Sequence, residues 1–388
     1  MPFNFKLLFQ VLYKSLCAPW GTLTRRTLAR IILILFLYPS YVLLELINWF
    51  FFIMDSIFFR SYRQIEVREP VFIVGNARSG TTFLQRLVAQ DKGRFTSMKF
   101  WEIIFAPTIS QKKLFLALGR LDKSVGGPFY KIIRKVESCM FEGYNKMHKT
   151  SLFEYEEDEF LLFHIFSSVW LLFIFPFEDC FNPLARFDID LPKKDRTQIM
   201  AFYKRCVQNH LFVFGKDKIL LSKNPTFSSK IESLQETFPG AKIICMIRSP
   251  LEVIPSNFSL ATYVFKFFAS HLDQHPLIRF TDNTITHWYH YPVEKIAVLD
   301  KNLGKVINYN NLVENPDQTV TDLYKHFSFD MSPQFQEILI KENSKTRKYN
   351  SKHTYSLEEL GLSKEHIIDT HSDIFEQFGF DTENSSDA

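Results

Sequence analysis

Glycines, a cation and paired hydroxyls crowd into one short stretch of the segment Pro70 to Arg86, PVFIVGNARSGTTFLQR. The spacing from Gly75 to Gly80 is that of the loop that cradles nucleoside triphosphates, G-x-x-x-x-G-K-[ST]. The lysine position of that pattern holds Thr81, and the cation stands at Arg78. A loop without the lysine that reaches the β- and γ-phosphates is poorly equipped for ATP or GTP. Backbone N–H groups, the hydroxyls of Ser79, Thr81 and Thr82 and one guanidinium suit a smaller phosphate-bearing donor. The simpler alternative is a glycine-containing turn between strand and helix, against which the common register of strand, glycines, arginine and threonines argues.

The flanking pattern supplies the elements such a loop needs. Val71 to Val74 form a continuous apolar run, expected of a central parallel strand covered on both faces. Phe83, Leu84, Leu87 and Val88 recur at helical spacing, which puts Ser79 to Thr82 at a helix N-terminus, where unpaired N–H groups and the positive dipole end favour an anion. Ile219 to Leu221, Ile243 to Ile247 and Lys305 to Tyr309 read as further strands. A helix over Ser228–Phe238, stopped by Pro239-Gly240, lies between two of them. The expected fold is therefore α/β, a P-loop-like doubly wound parallel sheet with ligands at the carboxyl ends of its strands.

At this point the chain resembles the sulfotransferase family, whose members carry R-S-G-T-T or a near variant in the loop that holds the phosphosulfate of 3′-phosphoadenosine 5′-phosphosulfate (PAPS). The resemblance implies a second site for the 3′-phosphate. Arg248 at a strand end and Ser256 eight residues on resemble that motif, although Pro255 is expected to kink the helix beneath the serine. Trp288-Tyr289 resembles the family's aromatic pair whose tyrosine lies by the adenine, and Asn308-Tyr309 through Pro316 the strand end that follows. Arg347, within the cluster Lys341, Lys345, Arg347, Lys348 and Lys352, stands in place of the late basic loop over the 3′-phosphate, without its glycine; a solvated charged face is the equal alternative. Cytosolic members have K-x-H where this chain reads Lys223-Asn224-Pro225. Lys223 is retained for the leaving phosphate and the histidine base is missing. Tyrosine-protein and some bacterial members use a glutamate after the phosphosulfate loop, and Glu102 stands at the matching place, with Glu157, Glu159 and His148 in reserve. The implied reaction is sulfuryl transfer from PAPS to a hydroxyl or amine of a lipid-like or carbohydrate acceptor, without a metal. A non-catalytic membrane scaffold that keeps the fold is the alternative, and a nucleotide kinase is disfavoured by Thr81.

Between the loop helix and the second strand lies a helical insertion, about residues 95–215. It carries an acidic run at Glu154, Glu156, Glu157, Asp158 and Glu159 and then Phe160 to Phe177, an uncharged apolar stretch. A crossing there would separate strands of one sheet, so a buried or membrane-dipping helix is expected. His164 within it reads as a core histidine.

The N-terminal 68 residues form a separate unit. Positions 1–30 contain Lys6, Lys14, Arg25, Arg26 and Arg30 and no acid, followed by a nearly uninterrupted apolar segment over 31–54 that is long enough to span a bilayer. It lacks the small-residue cleavage site of a signal peptide and reads as a retained anchor. Arginines flank both ends, which fits an in-plane or re-entrant anchor with the domain on the cytoplasmic face; a single crossing would place the domain on the lumenal side. The catalytic domain is expected over 69–380, with an amphipathic helix near its end marked by Ile367, His371 and Phe375 and a disordered tail over 381–388. A formal charge of +4 from 46 basic and 42 acidic residues argues against a nucleic-acid binder. Five scattered cysteines form no disulfide framework or zinc spacing.

Overall fold

A computed structural model describes residues 2–17, 28–141, 151–268, 274–346 and 363–382. His148, Arg347 and the polar tail beyond residue 382 lie outside the described residues, as do Lys348 and Lys352.

Two helices, α1 (Phe5–Cys17) and α2 (Leu28–Phe58), precede the sheet. The core then unfolds as β1 (Val71–Val74), α3 (Thr81–Val88) and β2 (Phe95–Thr96). The insertion contributes α4 (Phe100–Ile104), α5 (Ile109–Ser124), α6 (Pro128–Phe141), α7 (Leu171–Ile174), α8 (Glu178–Ala185), α9 (Phe187–Asp190) and α10 (Lys193–Phe214). The sheet resumes with β3 (Ile219–Lys223), α11 (Ile231–Thr237), β4 (Lys242–Ile247), α12 (Pro250–Phe267), α13 (Gln274–Val298) and β5 (Gly304–Asn308). Helices α14 (Tyr309–Glu314), α15 (Pro316–His326), α16 (Pro333–Thr346), α17 (Lys364–Thr370) and α18 (Ser372–Phe378) follow.

All pairings are parallel and the strand order is β2-β3-β1-β4-β5, with β1 in the middle. Successive β1 residues serve opposite faces: Phe72 and Val74 join the core under the insertion, whereas Val71 and Ile73 pack with α3 and α15. Both faces are covered, so the strand reads as a continuous apolar run. The four expected strands are present, with a fifth, β2, at the edge. Its two residues fall where the insertion was expected to begin, too short to carry a period-2 signal, so the insertion lies between β2 and β3.

The apolar stretch Phe160–Phe177 is core and not one helix, which corrects the expectation. It forms a 3₁₀ turn over Asp158–Ile165, reverses at Phe166 with φ +52°, and gives only one further turn in α7. Leu161, Leu162 and Ile165 are fully buried. The reversal is held by Ser167 N–H, which donates to the Leu162 carbonyl, and Ser168 Oγ, which donates to Glu159 at 2.6 Å. Local side-chain bonds of this kind compete with helix continuation. Near the C-terminus the expected amphipathic helix is two short ones that meet at His371, with Ile367, His371 and Phe375 all buried. The Ser228–Phe238 helix likewise starts later, at Ile231, behind a 3₁₀ turn at Pro225–Ser229.

Candidate functional site

Gly75 leaves β1 with φ +119°, and a Cβ there would lie 2.3 Å from the Met246 carbonyl oxygen on β4. Gly80 caps α3 with φ +85°, and its Cβ would lie 2.6 Å from the Tyr309 ring. Only glycine fits at these two points, so the loop can hug the sheet edge and aim the first N–H groups of α3 outward. No side chain caps α3. Arg78 between them also adopts a left-handed φ of +69°. Ser79 and Thr81 are buried and Thr82 is half-buried. The Ser79 hydroxyl oxygen has no hydrogen-bond partner although fully enclosed, and a buried polar atom left unpaired costs about 1–3 kcal/mol. An anion held in the loop would remove that cost.

The second motif lies directly against the first, because β4 is the neighbour of β1. Arg78 Nε donates to Ser256 Oγ at 3.0 Å, and Arg248 Nη1 donates to the Arg78 carbonyl at 3.1 Å. Asn257 Nδ2 donates to the Ala77 carbonyl at 2.9 Å. Helix α12 continues through Pro255 and on to Phe267, with Ser256 buried. Arg248 also stacks 4.2 Å from the Tyr309 ring centroid and forms a forked pair with Glu252 at 2.9 and 3.0 Å. Burial works against its charge, and the Glu252 carboxylate outweighs burial and holds the guanidinium protonated. Tyr289 is fully buried; its hydroxyl donates to the Arg248 carbonyl at 2.9 Å, so it props the strand end from below.

Lys223 ends β3 on the other side of β1, in register with Ile73. Its ammonium lies 2.8 Å from Glu157 Oε1 and 4.0 Å from Glu156 Oε1. The base of the phosphate loop is tied to the same strand end, since Gly75 N–H donates to Ser228 Oγ at 2.9 Å and Asn224 N–H to the Ile73 carbonyl. Asn224 and Ser222 also donate to Asp158, whose carboxyl burial pushes above the usual range. Glu159 is enclosed beside Lys230 at 3.7 Å, and burial lifts its carboxyl to about 7.

Glu102 stands apart from Lys223 in these contacts, in the first turn of α4, buried. Its Oε2 lies 3.0 Å from His210 Nδ1 of α10, outside hydrogen-bonding geometry, and is left without a bonded partner. His210 Nε2 meets Thr96 Oγ1 at 2.8 Å. Lys112 is sealed nearby, donates to the Ala106 carbonyl, and is lowered to about 8, chiefly by burial. His210 was not read from the sequence, because it comes from the far end of the insertion with no motif around it. Glu157 was read only as a reserve base, whereas the structure makes it the partner of Lys223. A cavity of about 600 Å³ between α8, α9 and α13, lined by Arg186, Asn283, His287 and His290, contains none of these side chains.

The sequence model of the sulfotransferase family matches residues 70–333. The chain is 25% identical over 328 residues to omega-hydroxy-beta-dihydromenaquinone-9 sulfotransferase Stf3 of Mycobacterium bovis and to that of Mycobacterium tuberculosis, covering 80% of this chain and 75% of each relative. Sulfotransferase STF9 from Mycobacterium avium superposes with a TM-score of 0.74 at 15% identity, over 100% of this chain and 99% of that one. STF1 from Mycobacterium tuberculosis gives 0.70 at 19% identity, over 95% and 92%. These two share the fold. The family match spans the loop, the insertion and all five strands, and the protein is a member of the sulfotransferase family.

Proposed function

We propose that the protein moves a sulfuryl group from PAPS to a hydroxyl of a membrane-borne, lipid-like acceptor. The observation that carries this reading is the junction of Arg78, Ser256 and Arg248 at the adjoining ends of β1 and β4, with Lys223 at the next strand. Three cationic groups and a helix N-terminus thus stand ready for one anionic donor. Arg78, Ser79, Gly80, Thr81 and Thr82 hold the phosphosulfate end, Arg248 and Ser256 the 3′-phosphate, and Tyr289 supports that strand end. In the transfer, the acceptor oxygen bonds to sulfur as the bond from sulfur to the bridging phosphate oxygen breaks. The acceptor's proton goes to a base, and adenosine 3′,5′-bisphosphate departs with the negative charge, which Lys223 stabilises.

Glu102 is the base in this reading. Glu157 is engaged by Lys223 and Glu159 by Ser168 and Lys230, whereas Glu102 is paired with no lysine among the described residues and faces the His210 imidazole at 3.0 Å without a hydrogen bond. The lipid-like acceptor is supported by the exposed apolar length of α2 and by the curated relatives, whose name gives a hydroxylated menaquinone as their substrate. The test is transfer from labelled PAPS to lipid, glycan and peptide extracts. Label in a lipid fraction supports the proposal; label only in soluble acceptors overturns the acceptor class. Bisphosphate binding without transfer to any fraction would make the chain a binding module.

A further inference from the structure

Helix α2 is built inside out. Its buried stripe carries Glu45, Asn48 and Asp55 beside Ile34 and Phe52, and its exposed stripe is large and apolar apart from Pro39 and Ser40. On the inner side Tyr41 donates to the Phe163 carbonyl at 2.6 Å, Glu45 meets His164 at 2.7 Å and Asn48 accepts from Gln111 at 2.7 Å. One turn and more further on, Asp55 accepts from the Ile109 N–H and so caps α5. On the outer side Phe36, Leu43, Phe50 and Ile57 recur every seven residues and are each more than half exposed. A soluble helix shows the opposite polarity, and an exposed apolar stripe of this size marks a surface made for another phase.

The stripe does not stop at α2. Helix α1 lies beside it through the contacts of Phe3 and Phe5 with Trp49, and it exposes Phe9 and Tyr13. On the other side α5 packs against α2 and α6 against α5, exposing Leu118 and Leu121, and Phe129 and Ile133, respectively. The charges on this pair are one-sided. Asp122 is used to cap α6, accepting from the Phe129 N–H at 2.8 Å, and Glu137 is buried against Arg134 and Ser151. Lys113, Arg120, Lys123, Lys131 and Lys135 remain at the surface among the apolar residues.

We propose that α1, α2, α5 and α6 form one seat that lies in the plane of an anionic lipid bilayer, with α2 parallel to the membrane surface and not across it. From Tyr41 to Asp55, about 21 Å of helix at 1.5 Å per residue, α2 is bonded to the insertion. A perpendicular helix would drag that flank of the domain through most of a hydrocarbon layer about 30 Å thick. In the plane, the outer stripe enters the acyl boundary while the flanking lysines and arginines meet lipid phosphates. The inference stands on these helices alone and not on the reaction. It does place α4, and with it Glu102, close above the lipid, since His164 joins Glu45 of α2 to the Ile103 carbonyl of α4 at 2.8 Å.

The experiment uses the full chain on vesicles of phosphatidylcholine containing a minority of phosphatidylglycerol. Spin labels at Phe36→Cys, Phe50→Cys and Ile57→Cys, with the native cysteines replaced, report depth by oxygen against nickel-chelate collision. One shallow depth at all three positions is expected; a depth that rises to the bilayer centre and falls again would overturn the in-plane seat. The unmodified protein gives a second readout by hydrogen exchange. Vesicles should slow exchange in α5 and α6 at least tenfold, and less without phosphatidylglycerol. Unchanged exchange there would remove α5 and α6 from the seat, and protection indifferent to lipid charge would overturn its anionic character.

Discussion

Arg78, on the loop after β1, and Ser256, in the helix after β4, share a hydrogen bond of 3.0 Å between guanidinium Nε and hydroxyl oxygen. The contact joins the loop after β1 to the first turns of α12, so the two proposed anion sites adjoin along one cationic edge. Arg78→Ala should weaken adenosine 3′,5′-bisphosphate binding, and Arg248→Ala should weaken it by about 1.5–3 kcal/mol, the range for a charge-assisted hydrogen bond. Calorimetry without magnesium measures both. Wild-type affinity in Arg248→Ala would refute the shared edge.

Glu252 occupies the guanidinium fork of Arg248 that a phosphate would use. Glu252→Gln should therefore tighten bisphosphate binding severalfold at low salt, with the gain shrinking as salt rises. An affinity loss would mean that Glu252 orients the arginine for its ligand.

Glu102→Gln should lower turnover about a hundredfold or more while bisphosphate affinity stays at the wild-type value. His210→Phe, which removes the imidazole facing it, should alter the pH profile of turnover. Unchanged turnover in Glu102→Gln would transfer the base to another carboxylate.

Gly80→Ala would force a Cβ into the Tyr309 ring at a left-handed φ. It should lower stability by about 1–3 kcal/mol, read as a fall in thermal midpoint. Adding Tyr309→Ala should recover the part due to the clash and leave the part due to backbone strain.

His371 is fully buried against Tyr289 and His290, and burial, followed by the His290 charge, lowers it to about 4. The unfolded chain binds its proton near 6.5, so stability from this group is present above that pH and is lost as pH falls towards 4. His371→Phe should make the midpoint less sensitive to acid over that window. Denaturant unfolding at pH 7 and 5 compares the two proteins, and equal sensitivity would assign the acid loss to other groups.

The sequence alone determined the local devices. A glycine bracket, an apolar run and a helix-period pattern are short-range signals, and they fixed the phosphate loop, β1, β3, β4, β5 and the apolar N-terminal segment in their observed places. Tertiary structure decided what those devices touch. The break of Phe160–Phe177 at Phe166 depends on Ser168 reaching Glu159, and no periodicity records such a bond. The strand β2 exists because β3 offers it an edge. The same holds for the carboxylates: sequence could rank Glu102, Glu157 and Glu159 only by distance from motifs, and packing gave Glu157 to Lys223, Glu159 to Ser168 and Lys230, and Glu102 to His210. Apolar composition makes α2 long and apolar enough to cross a membrane. The proposed in-plane orientation rests on Glu45, Asn48 and Asp55, three polar residues that look like flaws in a spanning helix until their partners on the insertion are known.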